Sequence, residues 1–84
     1  MIEKKVKVIN VTDIDGNVKD ERIIGDIRFL TFPYWHGTAF LRYEREMRRG
    51  RQTSIVQKCT ESNGKIVMET LNTIYYLEVI NAEI

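Results

Sequence analysis

The stretch KCTESNGKIVMETLNTIYYLEVI, residues 58–80, decides the fold class, because apolar and polar residues alternate on the far side of a strong turn signal. The dipeptide Asn63-Gly64 suits a two-residue β-hairpin, since a type I′ turn needs positive φ at both central positions. Residues 65–71 and 74–80 alternate at the period of two that puts one strand face inside and the other outside. This part of the chain therefore predicts an antiparallel β-meander.

Three further strands are predicted before the hairpin. Residues 53–59 supply the strand that enters it. Residues 5–11 form an apolar run whose alternation slips after Val8, as at a β-bulge or in a strand buried on both faces. Residues 22–32 form another strand, which Pro33 ends because proline cannot donate to a β-ladder. The face of that strand predicted to point inward carries Gly25, Ile27, Phe29 and Thr31.

Between residues 38 and 49 the apolar period changes, which predicts a helix. Thr38 is a suitable N-cap, and Gly50 suits the position just after the last turn. The apolar stripe of this helix is Ala39, Phe40, Tyr43 and Met47, and its predicted i,i+4 ion pairs are Arg42–Glu46 and Glu44–Arg48.

The predicted element order is β-β-α-β-β-β, within one domain that spans residues 1–84. Five short strands in a chain of this size must curl to bury an inner face and to protect their edges. The predicted fold class is therefore mainly β (α+β): a strongly bent five-stranded antiparallel sheet, forming an SH3-like partly open barrel with one helix over an open end.

The composition indicates no strongly charged partner. The formal net charge is +1, so bulk charge gives no argument for binding nucleic acid or a membrane. No apolar run is long enough for a signal peptide or a membrane span, and the single Cys59 cannot form an internal disulfide. We therefore expect a cytoplasmic protein with a free thiol, no membrane partner, no metal site and no cofactor.

The acidic turn after the first strand is the most suggestive chemical motif. Asp13-Ile14-Asp15-Gly16 resembles the first motif of haloacid-dehalogenase-type phosphotransferases, in which one carboxylate attacks phosphorus and the other serves the leaving oxygen. Those enzymes have a parallel α/β sheet, for which this chain has no room, and a later paired acidic motif, which it lacks. We expect a solvated hairpin turn; a phosphotransfer site at Asp13 and Asp15, or weak Ca²⁺ binding, is a remote alternative.

Arginines and aromatic residues cluster between residues 34 and 51. Guanidinium groups that contact phosphates, together with exposed rings that stack on bases, are a common means of binding single-stranded nucleic acid. The alternative is a solvated helix face, because several of these arginines are spaced for ion pairs within the helix. The candidate residues for binding nucleic acid or another partner are Tyr34, Trp35, Arg42, Arg45, Arg49 and Arg51.

Four runs of the sequence carry a family resemblance: FLRYER at 40–45, GRQTS at 50–54, GKIVMET at 64–70 and NTIYYL at 72–77. Together they resemble the small YorP-type proteins of Bacillus and its prophages, described as five strands with a helix between two of them. The resemblance covers essentially the whole chain and implies a phage or prophage origin and an SH3-like fold. The family is functionally uncharacterised, so it supplies no catalytic or binding residues.

These observations favour a non-enzymatic interaction module that contacts another protein through a sheet edge or a barrel rim. A nucleic-acid-binding accessory protein that uses the basic and aromatic residues is the alternative. No set of residues indicates catalysis, and nothing in the sequence points to a small-molecule substrate.

Overall fold

The strands of this protein form one antiparallel sheet. The structure, a computed structural model, describes residues 1–46 and 49–80. Its strands are β1 (Ile2–Asp13), β2 (Ile27–Phe32), β3 (Phe40–Tyr43), β4 (Gly50–Gln52), β5 (Val56–Ser62), β6 (Lys65–Thr70) and β7 (Thr73–Val79). They lie side by side in the order β4-β3-β2-β1-β7-β6-β5. The mainly β class is confirmed, but the described residues contain seven strands rather than the predicted five.

β1 belongs to both halves of the sheet. Residues 2–7 pair with β2, whereas residues 6–13 pair with β7. The register of the second pairing shifts between Val8 and Asn10, so Ile9 is the residue of a β-bulge. A bulge bends its strand and increases the local twist, which lets β1 turn from one half of the sheet into the other. The predicted slip in alternation after Val8 is confirmed as this bulge.

The two edge strands, β4 and β5, are joined only by residues 53–55. A link from Gln52 to Val56 reaches at most about 14 Å when fully extended. Seven strands laid flat would put the same two strands about 29 Å apart, because neighbouring strands are spaced by about 4.8 Å. The sheet is therefore strongly curved, and its two edges approach each other at this link.

The helix predicted over residues 38–49 is wrong. β3 lies in the middle of that range and pairs with β2, and β4 then pairs with β3. Strand pairing prevails because it buries Leu41 completely in the core beside its cross-strand partner Leu30. A helix here would also leave the side of β2 away from β1 without a strand partner, as an exposed sheet edge. Of the predicted helix, residues 47 and 48 lie outside the described residues.

The residues predicted to end and stabilise that helix have other roles. The Thr38 hydroxyl donates to the carbonyl oxygen of Trp35 at 2.6 Å, inside the turn between β2 and β3. Gly50 is the first residue of β4, and its Cα lies close against the backbone of β3. Among the described side chains, Glu44 pairs with Lys5 of β1 and Glu46 pairs with Arg49. The predicted Glu44–Arg48 pair involves a residue outside the described ones.

The strand predicted over residues 22–32 is shorter than expected. β2 starts at Ile27, and Glu21–Ile23 instead forms one turn of 3-10 helix whose last residue is buried. Gly25 lies between the turn and the strand with a φ of 95°, a backbone conformation that glycine adopts without steric cost. The end of the strand before Pro33 is confirmed.

The inward face of β2 is the opposite of the predicted one. Leu30 is fully buried and Arg28 is only 3% exposed, whereas Phe29 is half-buried on the outer face. Arg28 is tolerated inside because its Nη2 and Nε donate to Asp26 Oδ2 at 2.8 and 3.2 Å, and its Nη1 donates to the Leu41 carbonyl at 3.1 Å. Because the charged Arg28 occupies an inward position, the apolar and polar residues of β2 do not alternate in a way that shows which face is buried.

The meander at residues 58–80 follows the prediction closely. Asn63 and Gly64 have φ values of 53° and 77°, as a type I′ hairpin between β5 and β6 requires. The acidic segment forms the expected turn, in which Asp13 Oδ1 accepts hydrogen bonds from the backbone N–H groups of Asp15 and Asn17 at 2.9 and 3.0 Å. The residues predicted to share one face of β6, namely Ile66, Met68 and Thr70, are all buried.

Candidate functional site

Three large apolar side chains are exposed where the two edges of the curved sheet approach each other. Trp35 is 65% exposed, Leu71 51% and Ile55 45%. They belong to the turn between β2 and β3, the turn between β6 and β7, and the link between β4 and β5. We call these three residues the apolar corner.

Backbone contacts bring the three segments of the apolar corner together. The Leu71 N–H donates to the Ile55 carbonyl at 3.1 Å. Gly37, two residues after Trp35, lies beside Ile55, since a Cβ there would be in ordinary van der Waals contact with Ile55 Cγ2 at 3.7 Å. The Thr38 N–H and hydroxyl both donate to the Trp35 carbonyl, which closes the turn that carries the indole. The backbone of the three segments is therefore ordered, and the three side chains are exposed on it.

The segments around the apolar corner contain no charged residue. Aspartate, glutamate, lysine and arginine are absent from residues 29–41, 52–57 and 70–77, although these types make up 30% of the chain. Charged residues are depleted from the centre of protein–protein interfaces, where desolvating them is costly, and aromatic residues are enriched there. The composition of this surface is typical of an interface centre.

A second feature lies on the outer face of the sheet. Lys5, Phe29 and Arg42 are cross-strand partners on β1, β2 and β3. The Phe29 ring is flanked by Arg42 Cζ at 4.6 Å and by Lys5 Nζ at 5.9 Å from its centroid, both within the range of cation–π attraction. Nearby, Tyr34 stacks on Phe40 with ring centroids 5.0 Å apart. We call these five residues the cation–aromatic row.

The structure divides the six candidate binding residues predicted from the sequence. Tyr34 and Arg42 belong to the cation–aromatic row, and Trp35 belongs to the apolar corner. Arg45 and Arg49 are exposed on the connection between β3 and β4, with Arg49 Nε 3.4 Å from Glu46 Oε2. Arg51 is the cross-strand partner of the buried Leu41, so its side chain is directed to the inner side, away from the others.

Arg51 is held by an acidic partner. Its guanidinium donates two hydrogen bonds to the carboxylate of Asp20, which precedes the turn of 3-10 helix. The hydrogen bond from Arg51 lowers the pKa of Asp20 and raises that of Arg51 itself. Tyr75 completes the group: burial raises the pKa of its hydroxyl, and a hydrogen bond with Arg51 opposes that rise.

The other chemical groups singled out in the sequence have ordinary surroundings. The Asp13 carboxylate is used by the turn, and its hydrogen bond from the Asn17 backbone lowers its pKa. Burial, with a smaller effect of Glu61, raises the pKa of the Cys59 thiol. Within residues 1–46 and 49–80, no group of three His, Cys, Asp or Glu side chains is arranged to hold a metal ion.

Sequence reasoning missed Ile55 and Leu71, because the strands predicted over residues 53–59 and 65–71 included them. The structure places Ile55 in the link before β5 and Leu71 in the turn after β6. The available signal was the charge-free composition of the three segments, which is visible in the sequence. Their meeting at one corner depends on the curvature of the sheet.

Comparison of the chain with protein-family models, with curated proteins and with solved structures finds no match. No helix in the described part of the chain is long and apolar enough to cross a membrane.

Proposed function

We propose that this protein is a non-enzymatic interaction module that binds an apolar segment of another protein at the apolar corner. The observation that carries the proposal is the exposure of Trp35, Ile55 and Leu71 on ordered segments that contain no charged residue. Isolated exposed apolar residues are common, but a group of them is a mark of a contact surface.

The chemistry of the apolar corner favours a protein over a nucleic acid. Nucleic acid binding depends on cations that neutralise phosphates, and the segments of the corner contain none. A tryptophan at the centre of a dry contact is among the side chains that contribute most to protein–protein affinity.

We also propose a more specific fold class and a cellular location for this protein. We propose that the curved sheet is an SH3-like partly open barrel, since short links join strands at its closing corner. A reduced Cys59 fits a cytoplasmic location. A phage or prophage origin stays an expectation that rests on the resemblance to YorP-type proteins.

Site-specific photo-crosslinking tests the proposal. A photoreactive amino acid is introduced in turn at Trp35, Ile55 and Leu71, and at Lys58 as a matched exposed position on β5. We expect one discrete protein adduct from the three corner positions and none from Lys58. The adduct should survive nuclease treatment, and its formation should fall when unlabelled wild-type protein is added in excess.

The captured protein is then purified and titrated against variants. Trp35→Ala and Leu71→Ser should each weaken binding at least about tenfold, because an interface anchor contributes more than 1.4 kcal/mol. Arg45→Ala, an exposed change outside the corner, should leave the affinity within about twofold. Equal losses from all three variants, or adducts with nucleic acid alone, would contradict the proposal.

The cation–aromatic row supports a second candidate function, the binding of single-stranded nucleic acid. Base stacking on aromatic rings contributes about 1–3 kcal/mol per base. Arg42 and Lys5 stand on either side of Phe29, and a phosphate would compete with Glu44 for the Lys5 ammonium. Arg42 and Arg51 point to opposite faces of the sheet. Fewer arginines therefore share one surface than the sequence predicted.

A salt series with a labelled single-stranded oligonucleotide tests this candidate. If Lys5 and Arg42 each release a counterion, log K falls with log salt at a slope of about −1.4. Arg42→Gln should reduce that slope by about half, while Lys65→Gln, on β6, should leave it unchanged. Absence of binding at low salt eliminates the candidate, and the single Trp35 provides an intrinsic fluorescence control for folding.

A further inference from the structure

A cleft of about 510 Å³ opens on the inner side of the sheet, between the 3-10 turn and strands β2, β3 and β4. Its size is in the range of small-molecule sites, and the mouths of β-barrels are frequent places for them. It is separate from the apolar corner, none of whose three residues lines it. Its charged lining residues are Arg22, Arg28, Arg51 and Asp26.

The floor of the cleft contains a buried guanidinium in a fixed orientation. Arg28 is held by Asp26 and by the Leu41 carbonyl, and its Cζ lies 4.1 Å from the ring centroid of Tyr43. An arginine has five N–H donors, and Arg28 uses three of them in these hydrogen bonds. It therefore keeps donors for a further acceptor, in a geometry already fixed by the protein.

Two more guanidinium groups border the same space. Arg51 is held by a two-point ion pair with Asp20, whose carboxylate does not itself line the cleft. Arg22 is exposed and forms no ion pair within residues 1–46 and 49–80. Asp26 and Asp20 offset two of the three positive charges that border the cleft, so one uncompensated positive charge remains, that of Arg22.

We propose that this cleft binds a small oxyanion, a carboxylate or a phosphate group of a soluble ligand. Arg28 supplies an oriented guanidinium at the floor, Arg51 a second one at the wall, and Arg22 a mobile cation at the rim. Planar guanidinium forks match both oxyanions through paired N–H donors. The sequence alone had given no indication of a small-molecule ligand.

Nuclear magnetic resonance titrations of the full chain with inorganic phosphate and with acetate test the inference. The backbone N–H signals of Tyr43, Gly50 and Arg51 should shift in a saturable manner, with a Kd of roughly 1–10 mM for such minimal probes. Sodium chloride at equal ionic strength is the control for screening. A response to only one of the two probes upholds the site and identifies the oxyanion class that it prefers.

Arg22→Gln removes the rim cation without disturbing a buried residue, so its thermal unfolding should match the wild type. It should weaken binding of the responding probe by about fivefold, as expected for about 1 kcal/mol from a charge-assisted hydrogen bond. Arg45→Gln removes an exposed arginine outside the cleft and should have no effect. Shifts that are absent, that chloride reproduces, or that both variants reduce equally would overturn the inference. The outcome is independent of the apolar corner.

Discussion

The guanidinium of Arg28 lies over the ring of Tyr43, its direct cross-strand partner, at 4.1 Å from the ring centroid. Burial of the arginine is made possible by this ring on one side and the Asp26 carboxylate on the other. The pair joins β2 to β3 at the point where the sequence predicted a helix. It therefore contributes to the strand pairing that replaces that helix.

Arg28→Ala should lower the free energy of unfolding by about 3 kcal/mol, because it removes the partner of Asp26 and empties a buried volume. Arg28→Met, which keeps the length of the side chain without its charge, should recover part of that loss. Equilibrium denaturation in urea measures both. A loss below about 0.5 kcal/mol for the alanine variant would contradict the structural role of the buried guanidinium.

Gly50→Ala should separate β4 from β3. A Cβ at this position would collide with the Leu41 carbonyl oxygen and would lie 2.7 Å from Arg42 Cα, and neither backbone atom can move without breaking the pairing. We expect a loss of about 1–3 kcal/mol on thermal unfolding.

The neighbouring exposed change Arg49→Ala is the matched control for Gly50→Ala, and it should cost less than about 0.5 kcal/mol. Hydrogen exchange at the Tyr43 and Thr53 N–H groups, which donate to Arg49 and Ala39, should accelerate in the glycine variant only. Equal protection in both variants would count against the close approach of the two strands.

The ion pair of Asp20 and Arg51 predicts a loss of stability in acid. The pKa of Asp20 is lowered in the folded protein, so the carboxylate stabilises the fold at every pH above its ordinary pKa of 3.8, and this contribution disappears as the pH falls through the lowered value. Asp20→Asn should cost about 1–2 kcal/mol at pH 7.

The same variant should show a smaller drop in unfolding free energy between pH 5 and pH 2 than the wild type, measured by urea denaturation across that range. Asp15→Asn, at an exposed position in the acidic turn, serves as the comparison. Identical pH profiles for wild type and Asp20→Asn would show that the ion pair does not contribute.

The apolar corner should contribute little to folding if it is a contact surface. Trp35→Ser and Leu71→Ser should each change the free energy of unfolding by less than about 1 kcal/mol, because more than half of each side chain is already exposed. Leu41→Ala, in the core, should cost about 2–5 kcal/mol. If the two serine variants lost as much unfolding free energy as Leu41→Ala, the apolar corner would serve folding rather than recognition.

The sequence predicted the meander at residues 58–80 because each of its signals is local. The Asn63-Gly64 turn requires only its own backbone preferences, and the alternation in β6 reflects a single buried face. The bulge at Ile9 could also be read, since it interrupts a regular pattern.

The region between β2 and β4 could not be read in the same way. Ala39, Phe40 and Tyr43 fit a helical stripe, yet the buried residues are Ala39 and Leu41, at the spacing of a strand. Local spacing permits both, and only the available partner β2 decides between them. The inward Arg28 was hidden for a related reason, because its tolerance depends on Asp26, Leu41 and Tyr43 being assembled around it.

The position of β1 between β2 and β7 sets an order of events for the newly made chain. The ribosome delivers β1 first among the strands and β7 last, yet residues 6–13 of the one are completed only by pairing with the other. Until then Val8 and Val11, which are fully buried in the finished fold, lack their cross-strand partners on β7. Closing this contact brings together residues far apart in the chain, which slows folding. The sheet is therefore completed after synthesis of β7, and the early strands need protection from aggregation until that moment.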